Sequence, residues 1–195
     1  MLYFILKRFF DILISLFGII ITLPLFFIIT IVVKINSSGP IFYKQERVGK
    51  DGKIFIMWKF RTMFNRDVSF SVEEIRQFEI NGNDPRITRW GYILRKFALD
   101  ELPQLFNIFV GEMSFVGPRP YFYPRIKENE KLKERLKVKP GLTSLAFIKG
   151  GVSLSEKDIL MYDLEYIDRQ NIWLDAVIFI KTINIYLKRL YEKKI

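Results

Sequence analysis

Asp100 and Glu101 are adjacent acids in a stretch with cations on both sides. Arg86, Arg89, Arg95 and Lys96 precede them, and Arg119 follows in the stiff loop Gly117-Pro118-Arg119-Pro120. Neighbouring side chains on a helix diverge by about 100°. At a helix start, however, both carboxylates can approach one cation, and a cation or the helix N-terminus must offset their repulsion. Such a set suits a phosphate-bearing substrate: carboxylates hold a metal or attack phosphorus, and Arg residues clamp phosphate oxygens. Taken alone, an Asp-Glu pair is ordinarily no more than a favourably charged helix start. Lys59 and Arg61 flank Phe60 and point the same way at a period of two, so both could reach one phosphate group. A strand with one solvated face gives the same pattern.

The chain has 195 residues with 0 Cys and 0 His, which narrows the chemistry. Zinc loses its usual ligands. Thiol nucleophiles, Ser–His pairs and His bases are excluded as well. Catalysis would fall to Asp, Glu, Lys, Tyr, Ser or a hard metal ion. Magnesium (Mg2+) fits best, because it takes oxygen ligands between carboxylates and phosphates. The formal net charge of +10 favours anionic partners. No Walker loop or dinucleotide fingerprint is present, so a nucleotide would be held in another way.

The elements that must position these residues can be read in order. Ile41-Phe42-Tyr43 reads as a short strand, Gly49 to Gly52 as a turn with Asp51-Gly52 its strongest signal, and Ile54 to Phe60 as a second strand. Together they predict a small β-hairpin. Ser71-Val72-Glu73-Glu74 is a capping box opening a helix to about Ile80, which Gly82-Asn83-Asp84-Pro85 breaks. Trp90 to Lys96 predicts a short basic helix. Leu99 to Pro103 reads as another helix start, with Asp as N-cap and Pro in the first turn. Leu102, Leu105, Phe106 and Phe109 continue that helix to Gly111. Glu128 to Lys139 reads as a charged, solvated helix, and Trp173 to Tyr191 as an amphipathic helix suited to a membrane interface or to core packing.

Ile12 to Val33 is an uncharged run of 22 residues, about 33 Å as a helix and enough to cross a bilayer core. Pro24 lies near its middle and predicts a kink, with Thr22 able to bond a freed carbonyl. Both flanks are basic: Lys7 and Arg8 before it, Lys34, Lys44, Arg47 and Lys50 after it. Positive charge favours the cytoplasmic side. A kinked helix that dips in and returns satisfies both flanks, whereas a simple span satisfies one. On the residues alone both remain open.

The order of motifs resembles the bacterial sugar transferase family, the monotopic phosphoglycosyl transferases. Lys7-Arg8-Phe9-Phe10-Asp11 before an apolar helix with a mid-helix Pro is similar to the family's re-entrant membrane helix. Gly39 to Gly49 (GPIFYKQERVG), Lys59 to Met63 (KFRTM), Asp84 to Arg89 (DPRITR), Leu94-Arg95-Lys96, Leu99 to Leu105 (LDELPQL) and Met113 to Pro120 (MSFVGPRP) follow in the expected sequence. The resemblance covers about residues 5 to 142 and then weakens. It implies an α+β fold with an N-terminal re-entrant helix at 1–36. A mostly helical cytosolic domain at 37–195 would carry a small β-hairpin and interfacial amphipathic helices.

The resemblance also implies a reaction: transfer of a sugar 1-phosphate from a UDP-sugar to polyprenyl (undecaprenyl) phosphate. That is the first membrane step of polysaccharide or glycoconjugate synthesis. Asp100 matches the nucleophile, which would form a covalent aspartyl–phosphosugar intermediate. Glu101 matches its partner, with a metal-binding or orienting role beside Mg2+. Lys59, Arg95 and Arg119 match positions near the phosphates, joining Arg61 and Arg86 as candidate phosphate ligands. Asp163, in Tyr162 to Ile167, matches an acidic position by the site, although plain surface polarity fits it equally. Expected partners are the UDP-sugar, polyprenyl phosphate and membrane lipid, not nucleic acid, with a homodimer left open. The expected location is the cytosolic face of the inner membrane.

The chain departs from the family pattern in three places. Phe97-Ala98 replaces a small polar pair, and Glu112 stands where Asp is usual. Ser144-Leu145-Ala146-Phe147 replaces Gly-Trp-Ala-Gln after Thr143, which points to a different sugar or weaker contacts from this loop. Two other readings compete: a degenerate member that binds without turnover, and a non-enzymatic membrane-surface or nucleic-acid protein. The second is disfavoured because acidic residues interrupt the basic ones.

Overall fold

The computed structural model describes residues 2–64, 70, 71, 74, 77, 78, 81, 84–122 and 130–191. Helix α1 (Leu2–Asn36) contains Pro24 and takes in the whole uncharged run. Most of its apolar side chains are exposed, while Asp11, Ser15, Ile29 and Val33 are buried along one side. The Thr22 hydroxyl donates to the Gly18 carbonyl at 2.6 Å. It therefore does not reach the Ile20 carbonyl, the group whose i+4 donor Pro24 removes.

Strands β1 (Phe42–Val48) and β2 (Ile54–Phe60) form the hairpin, antiparallel with Phe42 opposite Phe60 and Val48 opposite Ile54. Its 3-10 turn, Lys50–Gly52, places Asp51 and Gly52 at positive φ. The first strand outruns the predicted Ile41–Tyr43 because Lys44 to Arg47 pair in register despite their polarity. Helix α2 (Arg89–Lys96) is capped by Thr88, whose hydroxyl accepts from the Gly91 amide at 2.9 Å. The predicted capping box is also formed, with the Ser71 amide donating to Glu74 at 2.8 Å. The rest of that helix lies largely outside the described residues.

The 3-10 turn Leu99–Glu101 precedes α3 (Gln104–Val110), and Gly111 ends α3 at φ 98°. Asp100 is thus not the cap of α3; Pro103 holds that position. β3 (Ser114–Val116) runs parallel to β4 (Gly141–Thr143). The 3-10 segment Glu130–Lys137 comes between them. It is not a fully solvated face, since Leu132 and Arg135 are buried. Helices α4 (Leu145–Lys149), α5 (Glu156–Arg169) and α6 (Ile172–Tyr191) complete the chain. The fold is α+β and mostly helical.

Phe55 and Met57 of β2, Leu105 and Ile108 of α3, Phe115, Leu145, Tyr166 and Ile178 form the main core. A second cluster joins Ile29 and Val33 of α1 to Phe60 and Leu94. Burying a large apolar side chain contributes about 1.5–3 kcal/mol, so these clusters tie α1, the hairpin and α2 into one body. Buried Asp11 accepts from the Ser114 hydroxyl at 3.1 Å and the Phe115 amide at 3.0 Å, locking α1 to β3.

Candidate active site

Asp100 and Glu101 sit in the 3-10 turn between α2 and α3. Ala98 enters it at φ 52°, a left-handed conformation uncommon without glycine. Asn107, one turn into α3, fixes this turn against the hairpin. Its side chain accepts from the Trp58 amide at 3.2 Å and donates to the Ile56 carbonyl at 2.7 Å and to Glu112 at 2.6 Å. The longer acid at position 112 therefore meets a defined partner.

That bracket brings Lys59 of β2 over the dyad. Lys59 Nζ lies 2.6 Å from Glu101 Oε1, with each side chain only 17% exposed. Arg119 approaches the same oxygen at 3.9 Å from a largely exposed side chain. Burial pushes the Glu101 carboxyl up, but the Lys59 and Arg119 charges and the Lys59 hydrogen bond outweigh it and hold it below the usual range. Asp100 is buried, and no ion pair to it is found among the described residues. Burial first, then the Glu101 charge, push its carboxyl up, while Lys59 and Arg95 pull the other way without cancelling them. Arg95 is held beside the turn, with Nε donating to the Thr62 hydroxyl at 2.9 Å.

The other candidates occupy different places. Arg61 follows the last residue of β2, so the period-two alternation no longer orients it. Its guanidinium donates to the Ser38 and Ser37 carbonyls at 2.6 and 2.7 Å, closing the junction between α1 and β1. Arg86 forks onto Asp84 at 2.7 to 3.2 Å. Its hydrogen bonds hold the Asp84 carboxyl low against a smaller opposing effect of burial. Asp163 is 1% exposed and pairs with Arg135 at 2.5 Å. Arg135 in turn donates to the Arg119 carbonyl at 3.0 Å and lies 3.7 Å from the centre of the Tyr121 ring.

Arg47 counts in the sequence only as a basic flank of the apolar run, inside the Gly39 to Gly49 motif, and not as a site residue. It donates to the Pro120 carbonyl at 2.9 Å and to Gln45 at 2.5 Å, and sits 3.6 Å from the Phe122 ring centre. Burial and the Arg119 charge lower its pKa to about 10, against a smaller upward pull from Tyr43 and Glu101. Arg47 and Arg135 thus grip consecutive carbonyls of the Arg119 loop. Arg135 lay in a stretch that reads as a solvated helix, and Arg47 in the basic flank of the apolar run.

No group of three metal-ligating side chains occurs among the described residues. Two adjacent carboxylates, one without an ion pair, still match the habit of Mg2+, which uses one or two carboxylates and completes its shell with water and substrate phosphates. On the other side of Glu101 lies a cavity of about 120 Å³, lined largely by apolar side chains.

The bacterial sugar transferase profile matches residues 2–189. The chain is 39% identical over 188 residues to the exopolysaccharide production protein ExoY of Sinorhizobium fredii, covering 91% of this chain and 83% of that protein. It is 39% identical over 190 residues to a UDP-glucose:undecaprenyl-phosphate glucose-1-phosphate transferase of Klebsiella pneumoniae, covering 91% of this chain and 39% of the relative. Its identity to the Xanthomonas campestris protein of the same description is 40% over 169 residues, covering 82% and 34%. The chain therefore spans little more than a third of those two transferases.

Proposed function

Because the chain belongs to the bacterial sugar transferase family, we propose that it transfers a sugar 1-phosphate from a UDP-sugar to undecaprenyl phosphate. The observation that carries this reading is the Asp100–Glu101 turn, faced by Lys59 and Arg119 and flanked by Arg95. A carboxylate oxygen of Asp100 attacks the sugar-bearing phosphorus of the donor. The bond from that phosphorus to the bridging oxygen breaks, and UMP leaves with that oxygen. An oxygen of polyprenyl phosphate then attacks the same phosphorus. The aspartyl–phosphorus bond breaks, Asp100 is restored, and a polyprenyl-diphosphate sugar departs. Both nucleophiles are anions, so neither step needs the His base this chain lacks.

Glu101, held ionised by Lys59, orients the nucleophile and shares the metal site with Asp100. Mg2+ bound by these two carboxylates would offset the negative charge of the phosphates during attack. Arg95 and Arg119 are the phosphate-facing cations. Arg61 and Arg86 act at longer range, through the α1–β1 junction and the Asp84 loop. Asp163 acts on the site through Arg135.

Residues 1–36 are read as the membrane element and 37–195 as the catalytic domain on the cytosolic face of the inner membrane. Contacts along α1 support a re-entrant course. Lys7 pairs with Asp175 at 2.7 Å, and Arg8 donates to the Ile108 and Phe109 carbonyls at 2.7 Å. At the other end Phe26 meets Phe60 at 5.1 Å, and Ile29 and Val33 enter the same core cluster. A helix crossing the bilayer would carry one end away from a domain confined to one side. Exposed Trp173, Val177, Ile180 and Leu187 give α6 an apolar outer stripe suited to the interface.

The test is UMP release from a panel of UDP-sugars, beginning with UDP-glucose, with undecaprenyl phosphate and magnesium. The wild type releases UMP and forms a phosphosugar adduct on Asp100. The Asp100→Asn variant is expected to do neither, and full activity in that variant would refute the mechanism.

A further inference from the structure

We propose that the cavity beside Glu101 receives the first isoprenoid segment of the lipid phosphate acceptor, next to its phosphate; this rests on the transfer reading above. The cavity starts at the dyad turn, where Ala98, Glu101 and Leu102 form its rim. Leu105, Phe115 and Leu142 also line it, and Phe147, Phe179, Ile183 and the ring of Tyr186 complete its apolar walls. Phe147 stacks on Tyr186 with centroids 5.9 Å apart, and Phe115 meets Phe179 edge-on at 5.6 Å.

The polar groups of the lining argue against a sugar ring or a nucleotide. Thr143 and Thr182 hydrogen-bond each other at 2.6 Å, and Thr182 also donates to the Ile178 carbonyl at 2.8 Å. These two hydroxyls are thus engaged with the protein, and the other polar side-chain groups of the lining are the Glu101 carboxylate and the Tyr186 hydroxyl. A sugar ring buried here would find partners for its hydroxyls only near Glu101 and Tyr186 and would leave the others unpaired among hydrocarbon, which is unfavourable. A hydrocarbon segment loses nothing of that kind and gains from leaving water.

The position of Ile183 identifies the source of the hydrocarbon. Ile183 lines the cavity and is also 44% exposed beside the apolar stripe of α6. Ile183 thus borders both the cavity and the face read as lying in the lipid. A chain arriving from that face would lead its phosphate to Glu101, where Lys59 and Arg119 supply charge. The Phe147 ring makes this wall apolar.

The test is photo-crosslinking with a short polyprenyl phosphate carrying a diazirine in its first isoprene unit, in detergent micelles, mapped by mass spectrometry. Label is expected on the peptides holding Phe147 and Phe179 to Tyr186, and unlabelled undecaprenyl phosphate should displace it. Ile183→Trp and Phe147→Asp, each retaining wild-type helical circular dichroism, should cut that label about tenfold, near 1.4 kcal/mol of affinity. Label confined to α1, or unchanged in both variants, would overturn the proposal. So would an Ile183→Trp protein that keeps its label but loses UMP release, since the cavity would then serve the donor sugar. Cavity label in a wild-type protein that releases no UMP from any UDP-sugar would instead defeat the transfer reading and leave the lipid site standing.

Discussion

Lys59 and Glu101 meet at 2.6 Å in a largely shielded setting, so each fixes the charge of the other. Lys59→Met leaves Glu101 with Arg119 at 3.9 Å as its only named ion-pair partner. Loss of one partner in a shielded pair costs about 2 kcal/mol or more, so UMP release should fall at least about tenfold, with partial rescue by Lys59→Arg. Lys59 also lowers the Asp100 carboxyl. Removing it should therefore move the acid limb of the pH–rate profile of UMP release upward. Asp163 behaves differently. Its pKa is raised to about 6, burial outweighing the Arg135 charge. A folded-state pKa above the ordinary aspartate value means that this group's contribution to stability is complete below about pH 4. It declines as pH rises towards 6. Urea denaturation should thus show Asp163→Asn gaining on the wild type across that window.

The junction between α1 and β1 shows how a short segment governs where a long helix lies. Arg61 bonds the Ser37 and Ser38 carbonyls, and Gly39, at φ 119°, packs where a Cβ would collide with the Arg61 guanidinium. Hydrogen bonds from charged groups contribute about 1.5–3 kcal/mol each. Arg61→Ala should therefore lower unfolding stability by about 3 kcal/mol and open the 37–39 segment to limited proteolysis. Gly39→Ala should have the same direction of effect, because the φ and the clash act together. The Arg119 loop is a second such element. Arg47 and Arg135 hold the Pro120 and Arg119 carbonyls, so the placing of Arg119 depends on two arginines that do not face the phosphates.

For the whole molecule, the decisive feature is that both ends of α1 rest on one domain. Lys7 and Asp11 bind α6 and β3, while Ile29 and Val33 pack on Phe60 and Leu94. The chain has 0 Cys, so single cysteines report cleanly on sidedness. Leu2→Cys and Ser38→Cys are both expected to react with a membrane-impermeant maleimide from the cytosolic side of inverted vesicles. Labelling of the two from opposite sides would show a simple span instead.

The sequence by itself determined the hairpin, α2, the apolar helix, the Gly111 end of α3 and the chemistry open to a chain without His or Cys. These depend on local turn residues, periodicity and side-chain type. Only the tertiary structure decided which cations reach the dyad. Arg61 lies one residue beyond β2, where alternation no longer sets direction, and it turns to Ser37 and Ser38. Arg135 reads as a solvated helix residue until α5 covers it and supplies Asp163. The β3–β4 pair joins segments of three residues each, too short for a periodic signal, through parallel bonds across a long connection. Which cations reach a shared site, and which instead grip the backbone behind it, follows from packing between distant segments.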